Sequence, residues 1–155
     1  EERAESLLAS AGFEVLRGTC RFVGEYWQLL GVDDPAGRRT EATRHAPEEK
    51  LISECAGNRY TILLKHQPRM TAAARKGCDL QLSGHTHAGQ VFPFGLLVKL
   101  MYPHPHGRLL ERAPGVRLYV SPGTGSWGAP VRLLARPEIT LLIIEPGRNA
   151  GSDRK

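Results

Sequence analysis

The chain has 155 residues, 41% of them hydrophobic, which is enough for one domain, or a large piece of one, with a real core. Its formal net charge of +5 favours anionic partners, but the basic residues are scattered in runs no longer than Arg38-Arg39 and aromatics are only 6%, so no nucleic-acid groove is expected. No apolar run is long enough to span a bilayer, and Cys20, Cys55 and Cys78 stand far apart with no Cys-x-x-Cys pair, which excludes a zinc knuckle or dithiol motif and predicts separate reduced thiols.

Apolar positions at Ala4, Leu7, Leu8 and Ala11 predict a helix over residues 2–11, stopped by Gly12. Residues 13–16 read as a short strand entering a turn at Gly18, and residues 25–32 as a second strand closed by Gly31-Val32-Asp33-Asp34-Pro35. The polar stretch 35–46 reads as loop. Pro47-Glu48-Glu49 opens a helix running to about Cys55. A buried strand, Tyr60–Leu64, leads to the loop His66-Gln67-Pro68. A short alanine-rich helix over residues 71–76 ends at Gly77, and the strand Leu80–Ser83 leads into Gly84-His85-Thr86-His87-Ala88-Gly89-Gln90. Residues 91–107 are apolar and broken by Pro93, Pro103 and Pro105, which reads as a packing excursion or lid. Strands are predicted over residues 117–121 and 139–145, joined through a Gly/Pro-rich loop at 122–130, and residues 147–155 read as a flexible tail. Strands alternate with helices early and dominate late, which predicts a mixed α/β layered domain over residues 1–146.

The chemistry gathers on histidine. His85 and His87 lie two apart in an extended, glycine-flanked segment after a strand, and His66 follows another strand. A neutral imidazole suits zinc, manganese or iron, and strands that end in histidines present ligands at one rim of a sheet. His66, His85 and His87 are therefore the candidate metal ligands, expected to converge. His104 and His106 form a second His-x-His pair held extended by prolines, read as structural, and His45 reads as solvated. Carboxylates are the gap. Metal sites that hydrolyse phosphate esters hold two ions about 3.5–4 Å apart, and these need anionic ligands. Asp33-Asp34-Pro35 reads instead as an Asx-type turn, and Asp79 as a cap before its strand.

Leu64-Lys65-His66-Gln67-Pro68, followed by Ser83-Gly84-His85-Thr86-His87-Ala88-Gly89-Gln90, resembles the C-terminal half of calcineurin-like metallophosphoesterases. The later stretches Tyr119-Val120-Ser121-Pro122-Gly123, Trp127-Gly128-Ala129-Pro130-Val131-Arg132-Leu133 and Arg136-Pro137-Glu138-Ile139-Thr140, with Gly31-Val32-Asp33-Asp34, resemble a membrane-associated subgroup. The resemblance implies part of a four-layer α/β/β/α sandwich. It implies two divalent metal ions (manganese, zinc or iron), with His66 and His85 on one and His87 on the other. It implies hydrolysis of a phosphate mono- or diester or pyrophosphate by a metal-bridging hydroxide. The family's Asp-x-His, Gly-Asp-x-x-Asp and Gly-Asn-His-Glu motifs do not occur in these 155 residues. The chain opens without methionine, and the expectation is a C-terminal portion whose N-terminal half, or an oligomeric partner, supplies the remaining ligands and the catalytic residues. Alone it is expected to turn over weakly or not at all; the alternative is a degenerate, non-catalytic half that binds metal or a partner. The apolar stretch after the histidines implies a substrate that is lipid-linked or otherwise amphipathic, in a cytoplasmic or membrane-associated setting.

Overall fold

The computed structural model describes residues 2–34, 47–55, 57–102 and 106–145. The loop at 35–46 with His45, the residue His104 and the tail at 147–155 lie outside the described residues.

Helix α1 (Glu2–Ser10) is followed by β1 (Thr19–Val23), β2 (Trp27–Gly31), α2 (Glu48–Glu54), β3 (Tyr60–Leu64), α3 (Ala72–Gly77), β4 (Leu80–Ser83), α4 (Phe94–Met101), β5 (Leu109–Ala113) and β6 (Val116–Val120). The strands form one six-stranded sheet in the order β1-β2-β3-β4-β6-β5. Its interior strands are parallel, β2 beside β3, β3 beside β4, β4 beside β6. Each edge is an antiparallel hairpin, β1 on β2 and β5 on β6. This is the α/β class read from the sequence. Among the described residues there is one sheet of the expected sandwich.

Side chains alternate across a strand, and the register decides which of them share a face. Gln28 pairs with Thr61 and Leu30 with Leu63. On that face α2 and α3 close a core of Leu30, Leu51, Ile52, Leu63, Ala74 and Cys78. Thr71 caps α3 by accepting from the Ala74 amide at 3.1 Å. Burial pushes the Cys78 thiol up to about 12, and all three cysteines are unpaired. The opposite face carries buried Ile62, Leu80 and Tyr119, with Trp27, Leu29, Tyr60, Leu64 and Leu82 around them less than fully buried.

Four expectations change. Residues 13–16 pair with no strand. They cross Gly31 so closely that a Cβ there would lie 2.4 Å from the Leu16 carbonyl oxygen. The first strand is instead β1, a largely exposed edge whose side chains lack an apolar alternation. The stretch after the histidines contains a regular helix, α4, started by Pro93, and β5 precedes β6 where no strand was expected. Residues 139–145 form no strand. They join no strand ladder, and Ile139, Leu141 and Ile143 are 90%, 84% and 77% exposed.

That exposed row is expected to make the 155-residue chain associate. Replacing Leu141 and Ile143 together by Lys is expected to shift sedimentation towards monomer while changing stability by no more than about 0.5 kcal/mol. Unaltered association would locate the contact elsewhere.

Candidate metal centre

Parallel strands release their loops on one side. Gly31 pairs with Leu64, Leu64 with Leu82, and Ser83 with Val120, so the segments after β2, β3, β4 and β6 leave from a common rim. The ladder continues past the strands: Val32 N–H donates to Leu64 at 3.2 Å, Lys65 N–H to Leu82 at 3.1 Å, Gly84 N–H to His66 at 3.0 Å and Ser121 N–H to Ser83 at 2.8 Å. In open α/β sheets this carboxyl rim is where ligands bind.

Asp34, His66 and His85 meet there, each offering one ligand atom within 4.8 Å of the others. His66 Nε2 lies 3.0 Å from His85 Nδ1, and Asp34 Oδ2 lies 3.6 Å from His66 Nε2. The two imidazoles stand edge to face, centroids 4.9 Å apart. Burial, and then the neighbouring His66, lower the His85 pKa, which keeps its ring unprotonated and ready to coordinate. The support beneath is polar, and of its groups Gln81 Oε1 is buried without a partner. Gln67 Nε2 donates to Asp34 Oδ1 at 2.8 Å. Buried Gln81 Nε2 donates to Ser83 Oγ at 2.9 Å, which in turn donates to the Gln67 carbonyl at 3.3 Å. Beside His66, Lys65 reaches Glu48 at 2.5 Å with both side chains about nine-tenths buried, and Thr71 donates to the other Glu48 oxygen at 2.6 Å.

The loop after β4 is strained. His85, His87, Ala88 and Gln90 all have positive φ, of 69°, 46°, 55° and 49°. Such runs in non-glycine residues occur where a site dictates the backbone. Arg132 braces the loop. Its guanidinium donates to the carbonyls of His87 at 3.0 Å, Pro122 at 2.9 Å and Ala135 at 2.7 Å, and also to that of Gly125. Gln90 is clamped by Trp127, whose amide donates to it at 2.6 Å and whose carbonyl accepts at 2.8 Å. Gly89, at φ 79°, lies so close to α4 that a Cβ would stand 2.2 Å from the Gly95 Cα. A cavity of about 680 Å³ opens between α4 and the 127–129 loop, lined by His66, His85 and His87 at one end and by Phe94, Val98 and Trp127 along its walls.

Of the expected ligands, His66 and His85 come together. His87 lines the same cavity outside their group, with its Nδ1 buried and unpartnered. His106 lies away from the cavity lining. Asp79, read as a cap before its own strand, accepts instead from the Thr61 amide of the neighbouring β3 at 2.7 Å. Asp34 was missed as a site residue because Asp-Asp-Pro reads as a turn. The available signal was its place just after a strand that runs parallel to β3.

The chain is 38% identical over 139 residues to an uncharacterized metallophosphoesterase of Aquifex aeolicus, covering 89% of this chain and 53% of the relative. It is 40% identical over 148 residues to one of Helicobacter pylori, covering 94% of this chain and 39% of that protein. The chain is a metallophosphoesterase homologue. A Bos taurus transmembrane protein with a metallophosphoesterase domain is 43% identical over 121 residues, covering 76% of this chain and 27% of its own length. The homologue thus spans about half or less of these curated relatives. No family model matches it, and no solved structure matches it significantly. Among its described residues no helix is long and apolar enough to cross a membrane.

The donor set fits a divalent ion. Two nitrogens each about 2.1 Å from one ion stand about 3.0–3.4 Å apart, from right-angled to tetrahedral coordination, and His66 Nε2 and His85 Nδ1 are 3.0 Å apart. The orphaned His87 Nδ1 is a further polar atom in want of a partner. Gly89→Ala is expected to push α4 off the histidine loop, destabilising the fold by about 1–3 kcal/mol. Urea unfolding checks this; an unchanged midpoint would mean the loop relaxes without strain.

Proposed function

We propose that this chain supplies the histidine side of a divalent-metal centre that hydrolyses a phosphate ester, and that the apolar part of that ester lies in the cavity beside α4. The observation that carries the reading is the convergence of Asp34, His66 and His85, two of which, His66 and His85, line a cavity together with Phe94, Val98 and Trp127. Asp34, His66 and His85 would hold one ion, and His87 would serve a second. Manganese, zinc and iron all suit these donors. Bound ions would supply Lewis acidity at the phosphoryl oxygens and lower the pKa of a water molecule.

The chain's own residues do the rest. Arg132 and Gln90 hold the histidine loop against its strain. The neutral His85 ring offers a lone pair without prior proton loss. Phe94, Val98 and Trp127 exclude water from one side of the reacting group and receive a hydrocarbon portion. Leu96, Leu97 and Leu100 stay exposed on α4, which favours an ester presented at a lipid surface and a membrane-associated setting. The remaining anionic ligands belong, in this proposal, to the portion of the relatives that the chain does not span. The exposed row at Ile139, Leu141 and Ile143 also fits a second reading, a non-catalytic half that binds a partner chain.

Titration calorimetry with Mn²⁺ or Zn²⁺ tests the centre. The chain is expected to take up metal, and His66→Ala or His85→Ala to weaken uptake by more than about a hundredfold, beyond the loss typical of an outer-shell change. Turnover of an aryl phosphodiester by the 155 residues alone is expected to be slight. No uptake, or uptake indifferent to both substitutions, sinks the proposal. Metal binding without hydrolysis in a chain as long as the relatives selects the second reading.

A further inference from the structure

Helix α4 packs on the histidine loop by one side only. Gly95 lies against Gly89, and Phe94 and Val98 line the cavity. At about 100° per residue, Leu96, Leu97, Leu100 and Met101 then share the outer arc. All four are more than half exposed, Leu100 at 81%. The apolar surface continues beyond the helix. The amide of Phe92, two residues before α4, donates to the Leu133 carbonyl at 3.2 Å, which seats Leu133 and Leu134 beside the start of α4. Leu134 is 82% exposed and keeps a left-handed backbone at φ 58°, so it bears strain and gains no burial among the described residues. Trp127, on the other wall of the cavity, is 80% exposed. An exposed apolar surface of this extent marks a contact with something else.

Charge decides what covers it. From Leu80 to Pro137 the chain holds one carboxylate, Glu111, against Lys99, Arg108, Arg112, Arg117, Arg132 and Arg136. Glu111 pairs with Arg117 in the β5–β6 hairpin, towards the end of the sheet away from the histidine rim. The apolar surface itself has cations at its margins. Lys99 stands on α4, Arg69 lies over the ring of Tyr102 at the end of that helix, and Arg136 follows Leu134 by two residues; all three are exposed. Hydrocarbon side chains edged by one sign of charge match a layer of anionic headgroups over acyl chains, where long cationic side chains reach back to the phosphates. We propose that α4 and the Leu133–Leu134 segment dock this chain on an anionic lipid bilayer, with Leu96, Leu97, Leu100 and Leu134 below the headgroups and Lys99 and Arg136 among them. Phe94 and Val98 belong to the same helix, so the docked surface adjoins the cavity. That an ester enters the cavity from the bilayer rests on the phosphoesterase reading; the docking does not.

Co-sedimentation with vesicles tests the docking without metal or turnover. The chain is expected to bind phosphatidylcholine vesicles containing about one-quarter phosphatidylglycerol at least about tenfold more tightly than vesicles of phosphatidylcholine alone. Leu96→Glu with Leu100→Glu is expected to weaken that binding more than about a hundredfold, and Lys99→Gln with Arg136→Gln about twentyfold. Leu141→Lys with Ile143→Lys, on the other exposed row, is expected not to lower it. A second measurement leaves α4 untouched: in a Trp27→Phe chain, brominated acyl chains are expected to quench the emission of Trp127. Protein that stays in the supernatant, or that binds neutral and anionic vesicles alike, overturns the proposal. So does binding that survives Leu96→Glu with Leu100→Glu, or that is lost with Leu141→Lys and Ile143→Lys, and so does Trp127 emission unchanged by brominated lipid. If the α4 substitutions alter sedimentation of the lipid-free chain and not its vesicle binding, the helix meets a protein and the proposal fails. Vesicle binding by a chain that takes up no metal sinks the phosphoesterase reading alone; metal uptake without vesicle binding sinks the docking alone.

Discussion

The parallel register of β2, β3, β4 and β6 is the constraint on which the rest of the molecule depends. A slip of one residue in any of these pairings would turn every side chain of that strand to the other face. The apolar contacts of Leu30 and Leu63 with α2 and α3 oppose such a slip. Buried polar pairs make it costlier still. Gln28 Nε2 donates to Thr61 Oγ1 at 2.6 Å across β2 and β3, and Ser83 Oγ of β4 donates to the Gln67 carbonyl, just past β3, at 3.3 Å. A shifted strand would leave these groups buried without partners, at about 1–3 kcal/mol each. The polar residues inside this sheet thus specify alignment more than they add stability, and alignment is what brings Asp34, His66 and His85 to one rim.

Alignment alone does not aim the imidazoles. The His85–Gln90 loop keeps a backbone that its residues resist, at about 1–3 kcal/mol for each strained position. The opposing force comes from far along the chain. One guanidinium, Arg132, binds four carbonyls, including those of His87 and Pro122, and such charge-assisted bonds contribute about 1.5–3 kcal/mol each. Both sums are of the same order, so the loop holds its shape only while the 122–135 segment is seated. This gives the Pro-Val-Arg-Leu stretch, more than forty residues past the histidines, a physical reason to accompany them.

Legibility followed burial. Tyr60–Leu64 and Leu80–Ser83 could be read because buried central strands are apolar runs of strand length, and the histidines after them stood out at strand ends, His85 and His87 between glycines. β1 is a largely exposed edge strand, and β5, whose burial does alternate, puts Glu111 and Arg112 side by side, so neither sequence shows the apolar alternation of a half-buried strand. The prolines around residues 91–107 hid α4, although Pro93 in fact starts that helix. Residues 139–145 carry a strand's sequence without a strand's partner. Asp34 was hidden because a ligand is defined by what surrounds it in space, and an aspartate before a proline is also ordinary turn chemistry.

Two deficits of the described structure point the same way. The group at the rim has one carboxylate beside two imidazoles, one of them held neutral, which leaves a dication mostly uncompensated. The sheet face opposite α2 and α3 leaves Trp27, Leu29, Leu64 and Leu82 short of full burial. Leu64 lies two residues before His66 and Leu82 three before His85, so that face runs directly into the metal rim. A second layer packed over these side chains would end beside the histidines, and residues at its strand ends would project into the same space. Burial of the face and neutralisation of the ion are then satisfied by one element, and neither requires any rearrangement of the loops already braced by Arg132.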